Sequence, residues 1–255
     1  MNVLMPLPSY GFDPTEAAIP WKILSQHKHQ VFFCTPNGKM AKADTIMLTG
    51  KGLGIWKGFL RARNDARKTY AQMEKNIFFT RPLTYKEVCE IDFDVLFLPG
   101  GHDKGVKEYL ESEILQKLIA DFFTAQKPVA AVCHGPLLVA RSIHPATGKS
   151  VIYDFKTTAL LKRQERLAYN LTKFWLGDYY LTYPRSSVED EIKSLLKNEK
   201  NFITGPIPLL KDRAEHLNRG FSVKDRNYLS ARWPGDIYHL SFSLLEVIRN
   251  FNGGA

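Results

Sequence analysis

Cysteine is scarce in this chain. Its 255 residues hold three, Cys34, Cys89 and Cys133. An odd number at wide spacings excludes a disulfide framework. No C-x-x-C pair or Cys/His cluster occurs, so no zinc site is expected. No run approaches the ~18 apolar residues of a membrane-spanning helix. The amino terminus, Met1-Asn2-Val3-Leu4-Met5-Pro6, lacks the basic segment and long apolar stretch of a secretory signal. Phosphate-cradling G-x-G-x-x-G and P-loop spacings are missing, as are repeats and low-complexity tracts. These absences lead to the expectation of a cytoplasmic protein in a reducing compartment, with no cofactor, no metal and no membrane contact. Acidic residues are also few: 26 against 35 basic ones, a net charge of +9. Such a balance raises nucleic acid and acidic ligands as partners. No nucleic-acid-binding motif accompanies it, so none is expected as a partner.

The apolar fraction of 44% excludes a disordered chain. Short apolar runs alternate with helical patterns. Val3 to Met5, Gln30 to Cys34, Asp94 to Leu98 and Val129 to Val132 read as strands, with shorter ones near Ile203, Val223 and Tyr228-Leu229. Asp13-Pro14-Thr15-Glu16 has the form of a helix start. Glu108 to Gln126 reads as one amphipathic helix, with Leu110, Ile114, Leu115, Leu118 and Phe122 on its apolar face. Asp236 to Phe251 reads as a closing helix. The alternation predicts a three-layer α/β sandwich around a mostly parallel sheet. One domain over 1–255 is expected, with insertions at about 44–78 and 155–200 that roof a site.

The most informative stretch is Val129-Ala130-Ala131-Val132-Cys133-His134-Gly135-Pro136. An apolar strand runs into a cysteine, then a tight turn opens a helix. This is the grammar of a nucleophile elbow, with small residues flanking the nucleophile. It would present Cys133 at the carboxyl end of the sheet, where open α/β sheets bind ligands. Cys34 ends an apolar strand and reads as core.

With Leu98-Pro99-Gly100-Gly101-His102 upstream, this elbow resembles that of the ThiJ/PfpI superfamily, whose fold is class I glutamine amidotransferase-like and flavodoxin-like. Gly11-Phe12-Asp13-Pro14-Thr15-Glu16 and Lys224-Asp225-Arg226-Asn227-Tyr228-Leu229 are similar to segments of its larger heat-shock chaperone and glyoxalase III branch. The resemblance implies Cys133 as nucleophile, with Glu16 and His134 moving protons. It makes Glu16 a protonated acid beside the thiol. Local sequence alone makes Glu16 a capping-box residue reaching back to Asp13. The resemblance also implies an acid that orients His134. Glu165 and Asp154 both follow the elbow at suitable distances, and Glu165 matches the family spacing better. Gly100 and Gly101 are expected to bring backbone N–H groups to an oxyanion, and His102 to line the site mouth. Arg232-Trp233-Pro234-Gly235-Asp236 departs from the family's usual segment there, and either shapes the pocket or packs the last helix.

The function implied is glutathione-independent conversion of a small 2-oxoaldehyde such as methylglyoxal to a 2-hydroxy acid, by a protein that is a homodimer in many relatives. An intracellular cysteine peptidase or amidase, a stress chaperone, and a redox sensor working through Cys133 are the alternatives. Segment 51–75 carries seven basic residues against two acidic ones and segment 156–173 five against one, so the two account for the whole net charge. That raises a basic rim around the cysteine.

Overall fold

Two four-residue runs, Val95–Leu98 and Val129–Val132, are buried at every position. Such strands have no solvent face and belong in the middle of a parallel sheet covered on both sides. The computed structural model describes residues 1–252 and places them so. Its strands are β1 (Asn2–Pro6), β2 (Tyr10–Phe12), β3 (Gln30–Thr35), β4 (Lys42–Ala43), β5 (Leu83–Thr84), β6 (Val95–Leu98), β7 (Val129–Val132), β8 (Ser222–Asp225) and β9 (Tyr228–Ala231). Seven form one sheet in the order β5-β3-β1-β6-β7-β9-β8; β2 and β4 pair separately. Within the large sheet only the β8–β9 pairing is antiparallel. Leu98 of β6 lies beside Ala131 of β7, and Val132 beside Ala231 of β9. The carboxyl ends of the three central strands therefore open at one edge.

Helices pack in two groups. Pro14–Gln26 meets Asn64–Met73 and Ile237–Asn252, whereas Gly135–Arg141 meets Glu113–Thr124 and Val188–Leu195. This is the predicted α/β sandwich. The helix expected over 108–126 is broken: Lys107–Leu110 ends at Glu111, and Ser112 caps a new helix, its Oγ accepting from Leu115 N–H at 3.3 Å. The kink turns Ile114 outward to 43% exposure, off the apolar face on which periodicity placed it. Ile203 lies outside the named strands; its neighbour Phe202 forms only an isolated bridge with Thr157.

The two insertions meet. Met47 and Leu53 of the first join Tyr179 and Tyr180 of the second in an apolar cluster apart from the main core. The Trp175 indole N–H donates to the carbonyl of Gly52 at 2.6 Å, and the Tyr179 hydroxyl bonds to the Asp44 carboxylate. Only parts of the predicted spans serve as this roof. Helix Asn64–Met73 belongs to the main layer against Pro14–Gln26, and Val188–Leu195 packs on the elbow helix. Among the described residues, no helix is long and apolar enough to cross a membrane.

Candidate active site

The site starts from one strained residue. Cys133, directly after β7, has φ of +60°, a left-handed conformation unfavourable for a side-chain-bearing residue. The surroundings impose it: Cys133 N–H donates to the carbonyl of Ala231 at 3.1 Å and its carbonyl accepts from Leu160 N–H at 3.1 Å. Two glycines permit the close packing. A Cβ on Gly135 would lie 2.2 Å from the Leu98 carbonyl oxygen, and one on Gly100 2.6 Å from His134 N. The elbow can therefore press against the end of β6 only with hydrogen at both positions.

Glu16 comes from the first turn of helix Pro14–Gln26 and is completely buried. It is not the capping partner of Asp13. Asp13 N–H donates instead to the carbonyl of Gly100 at 2.8 Å, while Asp13 Oδ1 accepts from Thr15 and Glu16 N–H at 2.7 and 3.2 Å. Glu16 is left free to reach across the strand end, where Oε2 accepts from Gly100 N–H at 2.7 Å. Burial first, and then the negative charge of Asp13, raise the Glu16 pKa well above the carboxylate range. Burial, followed by the charge that Glu16 would carry, raises the Cys133 thiol. Two acids sharing so small a space cannot both ionise. A proton held on Glu16 removes the repulsion that would oppose a thiolate.

On the other side, Cys133 Sγ lies 3.3 Å from His134 Nδ1. His134 Nε2 is 3.0 Å from Thr182 Oγ1, which in turn donates to the carbonyl of His102 at 3.3 Å. With its hydrogen turned to that carbonyl, the Thr182 oxygen accepts from Nε2–H, so Nδ1 carries no proton and faces the thiol as an acceptor. Burial, with lesser contributions from His102 and Arg141, lowers the His134 pKa well below its usual value. The ring is therefore a neutral acceptor at rest.

Thr182 was not foreseen. The structure puts its hydroxyl, and not the carboxylate of Glu165, on the histidine. Glu165 is buried in the first turn of helix Lys162–Leu176, where burial raises its pKa to about 7. Asp154 is on the surface, paired with Arg226. Nothing local marks Thr182, which joins the elbow only through the roof. Gly100 also differs from its expected role, because its N–H is already engaged by Glu16. Gly101 packs against β2, where a Cβ would meet the Gly11 carbonyl oxygen at 2.3 Å. His102 covers the His134 ring edge-on at a centroid distance of 5.2 Å, and burial lowers its pKa to about 4.

Cys133 is only 1% exposed. A cavity of about 120 Å³, lined by Asp13, His102, Leu160, Tyr180, Lys211 and Trp233 among others, is tied to this centre through Leu160, whose N–H donates to the Cys133 carbonyl, and His102, which packs on the His134 ring. A larger cavity of about 950 Å³ lies beside Pro128 and Asn227, at the opposite ends of β7 and β9. Arg232 does not enter the site. It is buried against Asp236 through Nε at 2.8 Å and Nη2 at 2.9 Å. Its neighbours Trp233 and Pro234 are the residues of that segment that line the cavity.

An open parallel sheet with a cysteine on a strained elbow at its carboxyl edge defines a class of α/β proteins built for nucleophilic chemistry. Residues 7–206 match the profile described as ThiJ/PfpI family-like, and the chain belongs to that family. It is 27% identical over 256 residues to an uncharacterised protein of Schizosaccharomyces pombe, covering 97% of this chain and 84% of that one. A glutathione-independent glyoxalase of the same yeast is 28% identical over 160 residues, about three fifths of either chain (61% and 62%). Among solved structures, glyoxalase III of Candida albicans superimposes with a TM-score of 0.68 at 17% identity, over 97% of both chains. At that identity the likeness concerns the fold.

Proposed function

We propose that this protein is a cysteine-dependent enzyme converting small 2-oxoaldehydes to 2-hydroxy acids without glutathione, methylglyoxal giving lactate. The observation that carries the reading is the placement of Cys133 Sγ between a proton acceptor, His134 Nδ1 at 3.3 Å, and a buried carboxyl whose pKa is raised. Cys133 adds to the aldehyde carbon, its proton passing to His134 and the carbonyl oxygen gaining one, to form a hemithioacetal. Removal of the hydrogen on that carbon gives an enediol; reprotonation at the neighbouring carbon gives a thioester, with Glu16 and His134 as the shuttles. Water then cleaves the thioester, releasing the 2-hydroxy acid and restoring the thiol. The net addition is one water, and Cys133 takes the part that a glutathione thiol would otherwise play.

A cavity of about 120 Å³ suits such a substrate better than an extended peptide. The deciding assay follows lactate formation from methylglyoxal without glutathione by the wild type, Cys133→Ser and Glu16→Gln proteins. Turnover is expected from the wild type only. Equal slow turnover by all three overturns the reading.

A second reading, a holding chaperone, draws on apolar side chains left in solvent: Ile55 is 88% exposed and Phe174 85% in the two insertions, and Leu209 71% beyond them. Suppression of thermal aggregation of a model client, retained in Cys133→Ser and lost in Phe174→Ser, would support it.

A further inference from the structure

The cavity that Leu160 and His102 share with the cysteine centre holds a cation and polar atoms without partners. Lys211 Nζ sits 5.9 Å from the centroid of the Trp233 ring, and its hydrogen bond is a 3.3 Å contact to the carbonyl of Arg61. Among the described residues it forms no salt bridge. Burial lowers its pKa to about 8, so the ammonium persists below that pH. Trp233 Nε1, Gln164 Oε1 and His102 Nδ1 are buried atoms without hydrogen-bond partners, and all three residues line this cavity. Buried polar groups are otherwise almost always paired. Three of them around one cavity, with an ammonium, describe a place where a ligand completes the bonding.

Lys211 shares the cavity with Asp13, whose charge works against the effect of burial on the lysine. Asp13 and His102 tie the cavity to the cysteine centre, through the Asp13 N–H to Gly100 bond and the Thr182 bond to the His102 carbonyl. Asp13 is its lining carboxylate, its Oδ1 held by two backbone amides. Leu160, Leu167 and Leu171 supply apolar wall. Among the described residues, Lys211 is the one ammonium in the lining of this cavity, which is the space next to the cysteine centre that could take the remainder of an aldehyde's chain. Resting on the enzymatic reading above, we propose that Lys211 and the Trp233 indole N–H bind a terminal carboxylate of the substrate, making the site selective for 2-oxoaldehydes that carry one.

The test compares methylglyoxal with 4,5-dioxopentanoate, a 2-oxoaldehyde ending in a carboxylate, in steady state with the full chain and no glutathione. The wild type is expected to prefer the carboxylate substrate. In Lys211→Met the ratio of the two kcat/KM values should fall by about 10- to 100-fold, the range for a hydrogen bond to a charged group, with the change in KM. Lys211→Arg should restore much of the ratio, and Trp233→Phe, which keeps the ring, should lower it by a smaller factor. An unchanged ratio in Lys211→Met overturns the proposal and leaves the glyoxalase reading intact. Failure of the reading itself would show as no Cys133-dependent turnover of either aldehyde. Calorimetry with unreactive 4-oxopentanoate then still decides the pocket: binding weakened in folded Lys211→Met supports it, and equal or absent binding to both proteins overturns it.

Discussion

His134 Nε2 and Thr182 Oγ1 are 3.0 Å apart, and this contact decides which ring nitrogen of the histidine faces the cysteine. Thr182 reaches the ring from the roof, and its own hydrogen is directed to the His102 carbonyl. The usual orienting carboxylate is thereby replaced by a hydroxyl that fixes the tautomer without adding negative charge. Near Glu16 and Asp13, both buried, another carboxylate would push the thiol pKa still higher.

Thr182→Val should slow turnover about five- to tenfold, the value of one neutral hydrogen bond of about 1 kcal/mol. Thr182→Ser should keep most of the rate. Steady-state kinetics of both variants across pH 5–9 provides the check, since loss of the tautomer lock also changes the shape of the kcat profile. Equal rates for wild type and Thr182→Val would remove Thr182 from the site.

The elbow tolerates no Cβ at its second glycine. Gly135→Ala would put a carbon 2.2 Å from the Leu98 carbonyl oxygen, a rigid strand atom, so we expect a loss of about 1–3 kcal/mol from overpacking. Gly58→Ala meets nothing within 4 Å and should be neutral or slightly stabilising. Urea midpoints at constant m-value measure both.

The Arg232–Asp236 pair is closed from water, with side-chain exposures of 1% and 0%. Removing one charge should be worse than removing both. Arg232→Met is expected to cost about 3–5 kcal/mol. Adding Asp236→Leu should recover only part of that, because Phe221 N–H then loses its acceptor Oδ1 at 3.0 Å. Thermal denaturation of the single and double variants tests this ordering.

Glu165 gives a pH signature. Its folded-state pKa is raised to about 7 from an ordinary 4.5, chiefly by burial. Between those values the folded chain keeps a proton that the unfolded chain has released, so the stability tied to this group is full below pH 4.5 and is lost as pH rises through 7. Glu165→Gln should match the wild type near pH 4 and exceed it in melting temperature at pH 8. Lactate formation by the same variant separates the roles, since a residue that orients the histidine would abolish turnover when neutralised.

Much of this was legible in the chain. The buried runs at 95–98 and 129–132, the strand-to-helix turn at Cys133, and the Asp13-Pro14 helix start are local signals. Each depends on residues adjacent in sequence, whose periodicity and turn chemistry leave few conformations. Glu16 was legible as a helix-start acid, and its second identity rested on family likeness. The break at Ser112 escaped periodicity because a cap displaced one turn of an otherwise continuous pattern.

What sequence determined, then, was the sheet, the elbow and the cysteine on it, because backbone propensity and apolar patterning act over a few residues. Only the tertiary structure decided the hydrogen-bond partners of that elbow and the pocket. Thr182 lies 48 residues from His134, and Gly100 84 from Glu16. Lys211 reaches the carbonyl of Arg61 across 150. Such contacts exist only after helices, strands and insertions have packed on one another. The basic surplus falls in the spans 51–75 and 156–173, but helix Asn64–Met73 of the first packs in the main layer, so only part of that charge belongs to the roof.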